Sequence, residues 1–344
     1  MPRALPAAVL LFAGLLFAGP RGAAAEITTE QLHEHSALAR ALNARVHPPA
    51  PPSGVRLPPL DSPVPAGAAA PPAPPEPSWL KMLSPRSAQG QVTQVVGDGL
   101  SFAEVSLQST HGLRGVPPYV TVTPALSVLA VDDPDLADFP PPGPDLPSRL
   151  WGASAGFTAI MPLSEQWIVQ AGVSPGFYSD LDNTSGDAFR MPGQAVGIYT
   201  YSPQTQFTVG VVFLDREDLS WLPALGVIHR PNARTTYEFI LPRPRIVQQL
   251  SGCDPQTGCF GYLAGELGGG SWAIERDARP GVPTDDVATI SDLRLLAGVE
   301  LKREGRVGFL AETGWVFSRE VEYESGIGDA EFGDAWLLRF GLRK

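Results

Sequence analysis

An acyl hydrolase carried by a β-barrel would need serine, histidine and a polar orienting side chain together on the outer face of a strand. Two histidines lie after residue 97, His111 and His229. The strand predicted before His111 ends at Ser109, so we expect neither histidine beside a serine on a strand face. The sequence also lacks G-x-S-x-G and G-x-x-x-x-G-K-[ST] motifs. It therefore predicts no enzyme, no catalytic residue and no cofactor, with a barrel-embedded hydrolase as an alternative.

An acidic loop is the nearest approach to a metal site. Asp180, Asp182, Thr184 and Asp187 resemble the start of a calcium loop. An EF-hand needs a glutamate at its twelfth position, where this sequence has Met191. We interpret the segment as a solvated loop, and no metal ligand is predicted.

Two cysteines, Cys253 and Cys259, enclose the short segment Asp-Pro-Gln-Thr-Gly. Disulfides form and persist in exported proteins. We therefore predict a disulfide that fixes the tip of this loop.

The overall charge excludes one class of partner. Asp and Glu number 36 against 25 Lys and Arg, which gives a net charge of −11. Binding to a phosphate backbone requires clustered cations. The composition therefore predicts no nucleic-acid partner.

The first part of the chain indicates export. Residues 1–25 combine Arg3, an apolar segment over Ala7–Gly19 and the small residues Ala23–Ala25, as a signal peptide does. The apolar segment is short for a membrane-spanning helix, and no later segment offers 18 consecutive apolar residues. Any membrane insertion would therefore use β-strands.

Two further segments precede the main domain. Residues 26–47 predict a short amphipathic helix. Residues 48–97 predict a disordered linker, because thirteen of the thirty residues from Pro48 to Pro77 are proline, which lacks an N–H donor. Such a spacer could contact the cell wall, although a segment with no role of its own is an equal alternative.

Residues 98–344 predict one β-domain. Segments of eight to twelve residues alternate apolar and polar side chains between turn residues, and we count about twelve strands. On Ile290–Arg303 one face carries Leu293, Leu295, Ala297 and Val299. A soluble antiparallel sheet would bury this apolar face, whereas a membrane barrel would turn it to lipid.

Three features favour an antiparallel, up-and-down transmembrane barrel in the outer membrane. Glycines recur on the polar faces, and aromatic residues cluster near strand ends, where interfacial girdles form. The sequence closes on Trp336–Lys344, which resembles the carboxy-terminal strand read by the barrel-assembly machinery but ends in lysine. We therefore expect outer-membrane lipid and that machinery as partners.

Charged residues on the polar faces are the remaining site candidates. They could line a small pore or pair into a network that fills the barrel, and we favour the network because about twelve strands leave little lumen beyond side chains. The lumen-facing candidates are Glu238, Asp292, Arg294, Glu300, Lys302, Arg306, Glu312, Glu320 and Arg339.

Four motifs carry a resemblance to a known family: Leu222–Asn232, Phe239–Ile246, Gly261–Trp272 and Asp292–Leu296. With them, residues 100–344 resemble an uncharacterised bacterial family of outer-membrane-barrel-like proteins, known only as a domain of unknown function. The resemblance implies the barrel fold and no catalytic residues. The sequence thus predicts a structural or passive-transport barrel, porin-like in the second case, with a soluble periplasmic ligand-binding β-domain as an alternative.

Overall fold

The computed structural model describes residues 83–113, 119–132, 143–216, 219–252, 257–303 and 306–344. The predicted signal peptide, the predicted helix and residues 48–82 of the predicted linker lie outside these ranges. The described residues form strands joined by turns and loops, with one 3-10 turn at Gly186–Ala188. None of them forms a helix that could cross a lipid bilayer.

Seventeen strands are described in chain order. They are β1 Leu83–Gly97, β2 Phe102–Leu113, β3 Tyr119–Val131, β4 Arg149–Pro162, β5 Trp167–Val173, β6 Gly176–Ser179, β7 Phe189–Arg190, β8 Gly193–Thr200, β9 Thr205–Phe213, β10 Trp221–Asn232, β11 Thr235–Ile240, β12 Arg245–Ser251, β13 Gly258–Glu275, β14 Asp285–Lys302, β15 Gly308–Tyr323, β16 Ala330–Phe332 and β17 Ala335–Arg343.

Fourteen of these strands close an antiparallel barrel. The ladder runs from β1 through β2, β3, β4, β5 and β8, continues from β9 to β15 in chain order, and reaches β17. It closes where β17 pairs with β1, from Gly97 opposite Ala335 to Gln89 opposite Arg343. The short strands β6, β7 and β16 extend the wall locally. The all-β antiparallel barrel is thus confirmed, with fourteen strands instead of about twelve.

The first missed strand corrects the predicted domain boundary. Residues 83–97, predicted as linker, form β1, so the barrel begins at residue 83 and not at residue 98. Gln91, Thr93 and Val95 are buried, while Val92 and Val96 are exposed. The alternation was hidden because glutamine and threonine occupy most of the inward positions beside a proline-rich segment.

The second missed strand is β12. Its seven residues follow Pro242-Arg243-Pro244, which sequence analysis reads as an interruption. Sequence alternation predicts two strands around Gly268–Gly270, namely Cys259–Leu267 and Ser271–Arg276, whereas the structure has the single strand β13. Glycine weakens strand propensity locally, but pairing with β14 along the whole length overrides it.

The two ends of the barrel differ. Short connections such as 163–166, 201–204 and 233–234 lie at the end that also carries Leu83 and Lys344, which we call the short-turn end. Longer connections, including 180–188 and 276–284, lie at the opposite end, which we call the loop end. Short turns at one end and long loops at the other are typical of outer-membrane barrels.

The apolar face of the strands points outward. Leu295 is 53% exposed and Phe309 is 49% exposed, whereas their inward neighbours Arg294 and Glu312 are 4% and 3% exposed. Successive side chains of a strand point to opposite faces, so this pattern follows from closing the sheet with its polar face inside. The outer wall is a belt of exposed apolar side chains.

The loop end of the barrel is capped from within. Gly269 has φ of +95°, and a Cβ there would lie 1.8 Å from the carbonyl oxygen of Ile290, so only glycine fits this position. Beyond it, Ala273 of β13 pairs with Ser179 of β6 on the far wall. Trp272, Ile274 and Ile290 join a buried apolar cluster there.

A clasp formed by the 180–188 loop holds this cap. The Oδ2 atom of Asp180 accepts a hydrogen bond from the Glu275 backbone N–H at 2.7 Å. The Asn183 side-chain amide donates to the Ile274 carbonyl at 3.0 Å. The segment predicted as a solvated acidic loop therefore has two buried residues that bind β13.

The corrected boundary is testable by truncation. We expect a chain that begins at residue 83 to fold into a barrel, and a chain that begins at residue 98 to fail, because it leaves β2 and β17 with unpaired edges. Each truncated chain is refolded in detergent, and its folding is measured by far-UV circular dichroism and by resistance to protease. An equally folded and resistant barrel from residue 98 would contradict the assignment of β1 to the wall.

Candidate functional site: the charged interior of the barrel

Arg339 lies at the centre of a buried ionic network. From β17 its Nη2 reaches Oε1 of Glu266 on β13 at 2.9 Å, and its Nη1 reaches Oε2 of Glu312 on β15 at 2.5 Å. Its Nε donates to Oγ1 of Thr93 on β1 at 2.9 Å. The guanidinium is fully buried, so its charge is stabilised only by these partners.

Arg294 extends the network along β14. Its Nε and Nη2 atoms donate to the two carboxylate oxygens of Asp292 at 2.5 and 2.9 Å, a bidentate arrangement, and its Nη1 reaches Glu266 at 3.2 Å. The guanidinium lies against Gly268, where a Cβ would come within 2.1 Å of it. The glycine therefore provides the space that the arginine occupies.

Arg243 enters from the turn between β11 and β12. Its Nη2 lies 2.9 Å from Oε1 of Glu312, and its Nε lies 3.3 Å from Oε2 of Glu266. The Tyr262 hydroxyl donates to the same Oε1 of Glu312 at 2.6 Å. Three arginines thus meet three carboxylates, since Asp292 completes the set, and the network has no net charge.

Smaller ion pairs lie on either side of this network. Glu238 binds Arg245 at 2.9 Å within the barrel. Towards the short-turn end, Glu300 lies 3.8 Å from both Lys302 and Arg343.

Two arginines organise the cap. Arg276 binds Asp286 at 2.9 Å and stacks over the Tyr323 ring at 4.0 Å. The Arg319 guanidinium donates to the carbonyls of Leu100 and Gly333.

The predicted lumen-facing residues fall into three groups. Glu238, Asp292, Arg294, Glu312 and Arg339 are buried inside, and Glu300 and Lys302 are half-buried at the short-turn end. Arg306 is exposed in the turn before β15, not directed into the lumen.

Glu320 requires a correction. Ser318 has φ of +49°, and the register between β14 and β15 shifts nearby, so the strand face changes after this residue. Arg319 takes the buried position and Glu320 is half-buried on the other face. A bulge carries no period-two signal, so alternation alone could not show it.

Sequence reasoning missed Glu266 and Arg243. Glu266 shares its strand face with Tyr262 and Ala264, so the alternation of β13 could have identified it. Arg243 lies between two prolines in a turn, where no periodic pattern exists.

The expectation about the histidines was wrong. β2 continues to Leu113, and Ser109 and His111 therefore share its outward face, with Oγ and Nε2 3.1 Å apart. Within the described residues, Ser109 is the only hydrogen-bond partner of His111, and no carboxylate orients the ring. His229 is hydrogen-bonded to Oγ1 of Thr205 at 3.0 Å.

The predicted disulfide stays a prediction. Cys259 is half-buried with a free thiol in the described residues. Cys253, its predicted partner, lies outside them.

Room for a ligand inside the barrel is small. A cavity of about 50 Å³ lies near the loop end, between Glu104, Tyr178, Arg190, Arg216 and Trp272. A cavity of about 150 Å³ accommodates benzene, so a cavity of about 50 Å³ has room for no more than a few water molecules. The interior geometry supports charge pairing more than solute passage.

Comparison with known families concerns the wall opposite this network. A family described only as a domain of unknown function, DUF6268, matches residues 142–219. The chain thus resembles an uncharacterised family, as predicted. The DUF6268 segment spans β4 to β9 and excludes the four motifs that suggested the resemblance. No curated protein matches the chain.

The network predicts a large effect of one substitution. Arg339→Met should lower the free energy of unfolding by about 3–5 kcal/mol, because Glu266 and Glu312 would keep buried charges without their main partner. Arg306→Met, at an exposed position, should change it by about 0.5 kcal/mol or less. Urea unfolding in detergent, followed by circular dichroism, measures both. Equal, small effects would show that the network contributes little to stability.

Proposed function

We propose that this chain is an exported outer-membrane β-barrel with a structural role, its interior filled by paired charges. The observation that carries the proposal is the outer belt of apolar side chains on a closed barrel. A soluble β-domain would bury this face, and a patch this large on a soluble surface would favour aggregation. The predicted signal peptide and the terminal strand β17, which could be offered to barrel-assembly machinery, agree with this location.

Aromatic residues border the belt at both ends. At the loop end, the ring centroids of Phe213 and Trp221 lie 4.7 Å apart, and those of Trp315 and Trp336 lie 5.0 Å apart. Lipid–water interfaces favour amphipathic aromatic rings, which gives outer-membrane barrels two aromatic girdles.

The matching border at the short-turn end includes Trp167 and Tyr199, whose ring centroids are 5.1 Å apart, and Tyr201 with Phe207 at 6.1 Å. Between the borders, β9 and β17 each have nine residues. A tilted transmembrane strand needs about 9–11 residues, a length that ten of the fourteen barrel strands reach and that β5, β8, β11 and β12, with six to eight residues each, do not.

Spin labels can test the membrane face with small perturbation. Ala297 and Ala311 are exposed on the outer faces of β14 and β15, and Ala278 is exposed in a loop. In liposomes, we expect labels at positions 297 and 311 to be relaxed more by oxygen than by an aqueous nickel complex, because oxygen partitions into lipid. The label at 278 should show the reverse order. Nickel accessibility at 297 and 311 equal to that at 278 would overturn the proposal.

Because its interior is filled, we expect the barrel not to conduct ions. Wild-type protein in a planar bilayer should give no discrete conductance steps, because the ionic network and the cap occupy the path. A general porin in the same bilayer controls for insertion. Reproducible steps from the wild-type protein, with ion selectivity altered by Glu312→Lys, would favour the passive-transport role instead.

A second candidate, an outward-facing esterase, is favoured by the Ser109–His111 pair. The Oγ of Ser109 could attack an ester carbonyl as Nε2 of His111 takes its proton. The ester C–O bond would then break, the alcohol would leave with that proton, and water would hydrolyse the acyl-serine to release the acid and restore Ser109. The pair has the required hydrogen bond at 3.1 Å but no orienting group in the described residues. We rank this function below the structural one for that reason.

The esterase is tested by chemical labelling. A serine-reactive fluorophosphonate should label the detergent-solubilised wild type and Ser106→Ala, and it should not label Ser109→Ala, if Ser109 is activated. We expect no labelling of any of the three, consistent with the missing orienting group. Labelling that disappears only in Ser109→Ala would establish the second candidate.

A further inference from the structure

The two ends of the barrel carry opposite charge. Among the described residues of the loop end, eleven acidic side chains are exposed against one basic side chain, Arg149. At the short-turn end the described exposed set is reversed, with one acidic residue, Glu165, against five basic residues. The acidic set is Asp98, Asp132, Asp182, Asp187, Glu275, Asp277, Asp285, Glu324, Asp329, Glu331 and Asp334; the basic set is Arg86, Arg234, Arg303, Arg306 and Lys344.

Three of the basic residues gather on one sector, which we call the basic rim: Arg303, Arg306 and Lys344. The pairing of β14 with β15 and of β15 with β17 places Leu301, Phe309 and Leu342 in one row across these strands. Arg303 and Lys344 each follow a member of that row by two residues, so their side chains share its outward face. Arg306 lies in the connecting turn.

The basic rim borders the apolar belt directly. Phe309 and Leu342 are 49% and 52% exposed on the outer wall. The Arg303 guanidinium lies over the outward Phe309 ring, 5.7 Å from its centroid. An arginine that covers apolar surface with its stem and keeps its charge in water is the arrangement expected at a lipid headgroup level.

The three cations of the basic rim outnumber Glu304, the one acidic residue that the sequence places in the same turn. Glu300 is half-buried between Lys302 and Arg343, so its charge is already offset inside the barrel. Glu304 lies outside the described residues. Arginine forks match phosphate oxygens in pairs, and cations are attracted to the surface of an anionic membrane.

We propose that the basic rim binds the headgroups of anionic phospholipids, and that the short-turn end therefore faces the leaflet richer in them. This inference rests on the proposed membrane location. The acidic loop end would be repelled by the same headgroups, so the charge difference also favours one orientation of the barrel.

Spin-labelled lipids can test the rim. The wild-type barrel is reconstituted into phosphatidylcholine vesicles with a trace of spin-labelled phosphatidylglycerol or phosphatidylcholine. We expect the motionally restricted fraction to be roughly two- to threefold higher for phosphatidylglycerol, and to approach the phosphatidylcholine value in 0.5 M NaCl, because salt screens exposed charges.

Charge-neutral variants identify the residues. In R303Q/R306Q/K344Q the preference should fall to about onefold, whereas the loop-end control R149Q/R279Q should keep it. Circular dichroism checks that each variant is folded. If a variant does not fold, the salt dependence of the wild-type lipid preference still tests the inference. A wild-type preference of onefold, or one retained in the triple variant, overturns the inference and leaves the membrane location intact. No restricted fraction for either lipid would overturn the proposed function and this inference together.

Discussion

Pairing of buried charges inside the barrel is the interaction on which the rest of the structure depends. Arg339 alone joins β17 to β13, β15 and β1 through Glu266, Glu312 and Thr93. Charges can leave water only with partners of opposite sign and satisfied hydrogen bonds. Because these groups face inward, period-two alternation leaves the apolar residues of the same strands on the outside. The composition of the outer belt and the chemistry of the interior are therefore two results of one constraint.

The interior combines two kinds of packing along the barrel axis. Charged pairs occupy the middle, while Trp272, Ile274 and Ile290 form an apolar cluster under the cap. Gly269, with its φ of +95°, lies between the two on β13, and beyond it Ala273 pairs with Ser179 of β6. The barrel thus has a hydrophobic core inside in addition to the apolar belt outside, and different residues form the two.

The alternation of apolar and polar residues predicted the inner and outer faces of the strands in which the alternation is strong. On β14 and β15 it separated Leu295 and Phe309 from Arg294 and Glu312, and the structure has the same separation. It could not detect β1, whose inward positions carry glutamine and threonine, or β12, which is short and follows a proline turn.

The candidate site was predictable only in part, because long-range pairing decides the remainder. Ser318 changes the strand face by a bulge, and Arg243 reaches Glu312 from a turn. His111 became a neighbour of Ser109 because β2 extends four residues beyond the predicted end. None of these arrangements leaves a periodic signal in the local sequence.

Pairing of β1 with β17 has a consequence for biogenesis. Nearly all described residues lie between the two partners, so this contact has a very large sequence separation and forms late for entropic reasons. During synthesis, β1 has only one of its two neighbours until β17 is complete. Exposed edges and an apolar outer face would then coexist in a nascent chain, a state that aggregates readily.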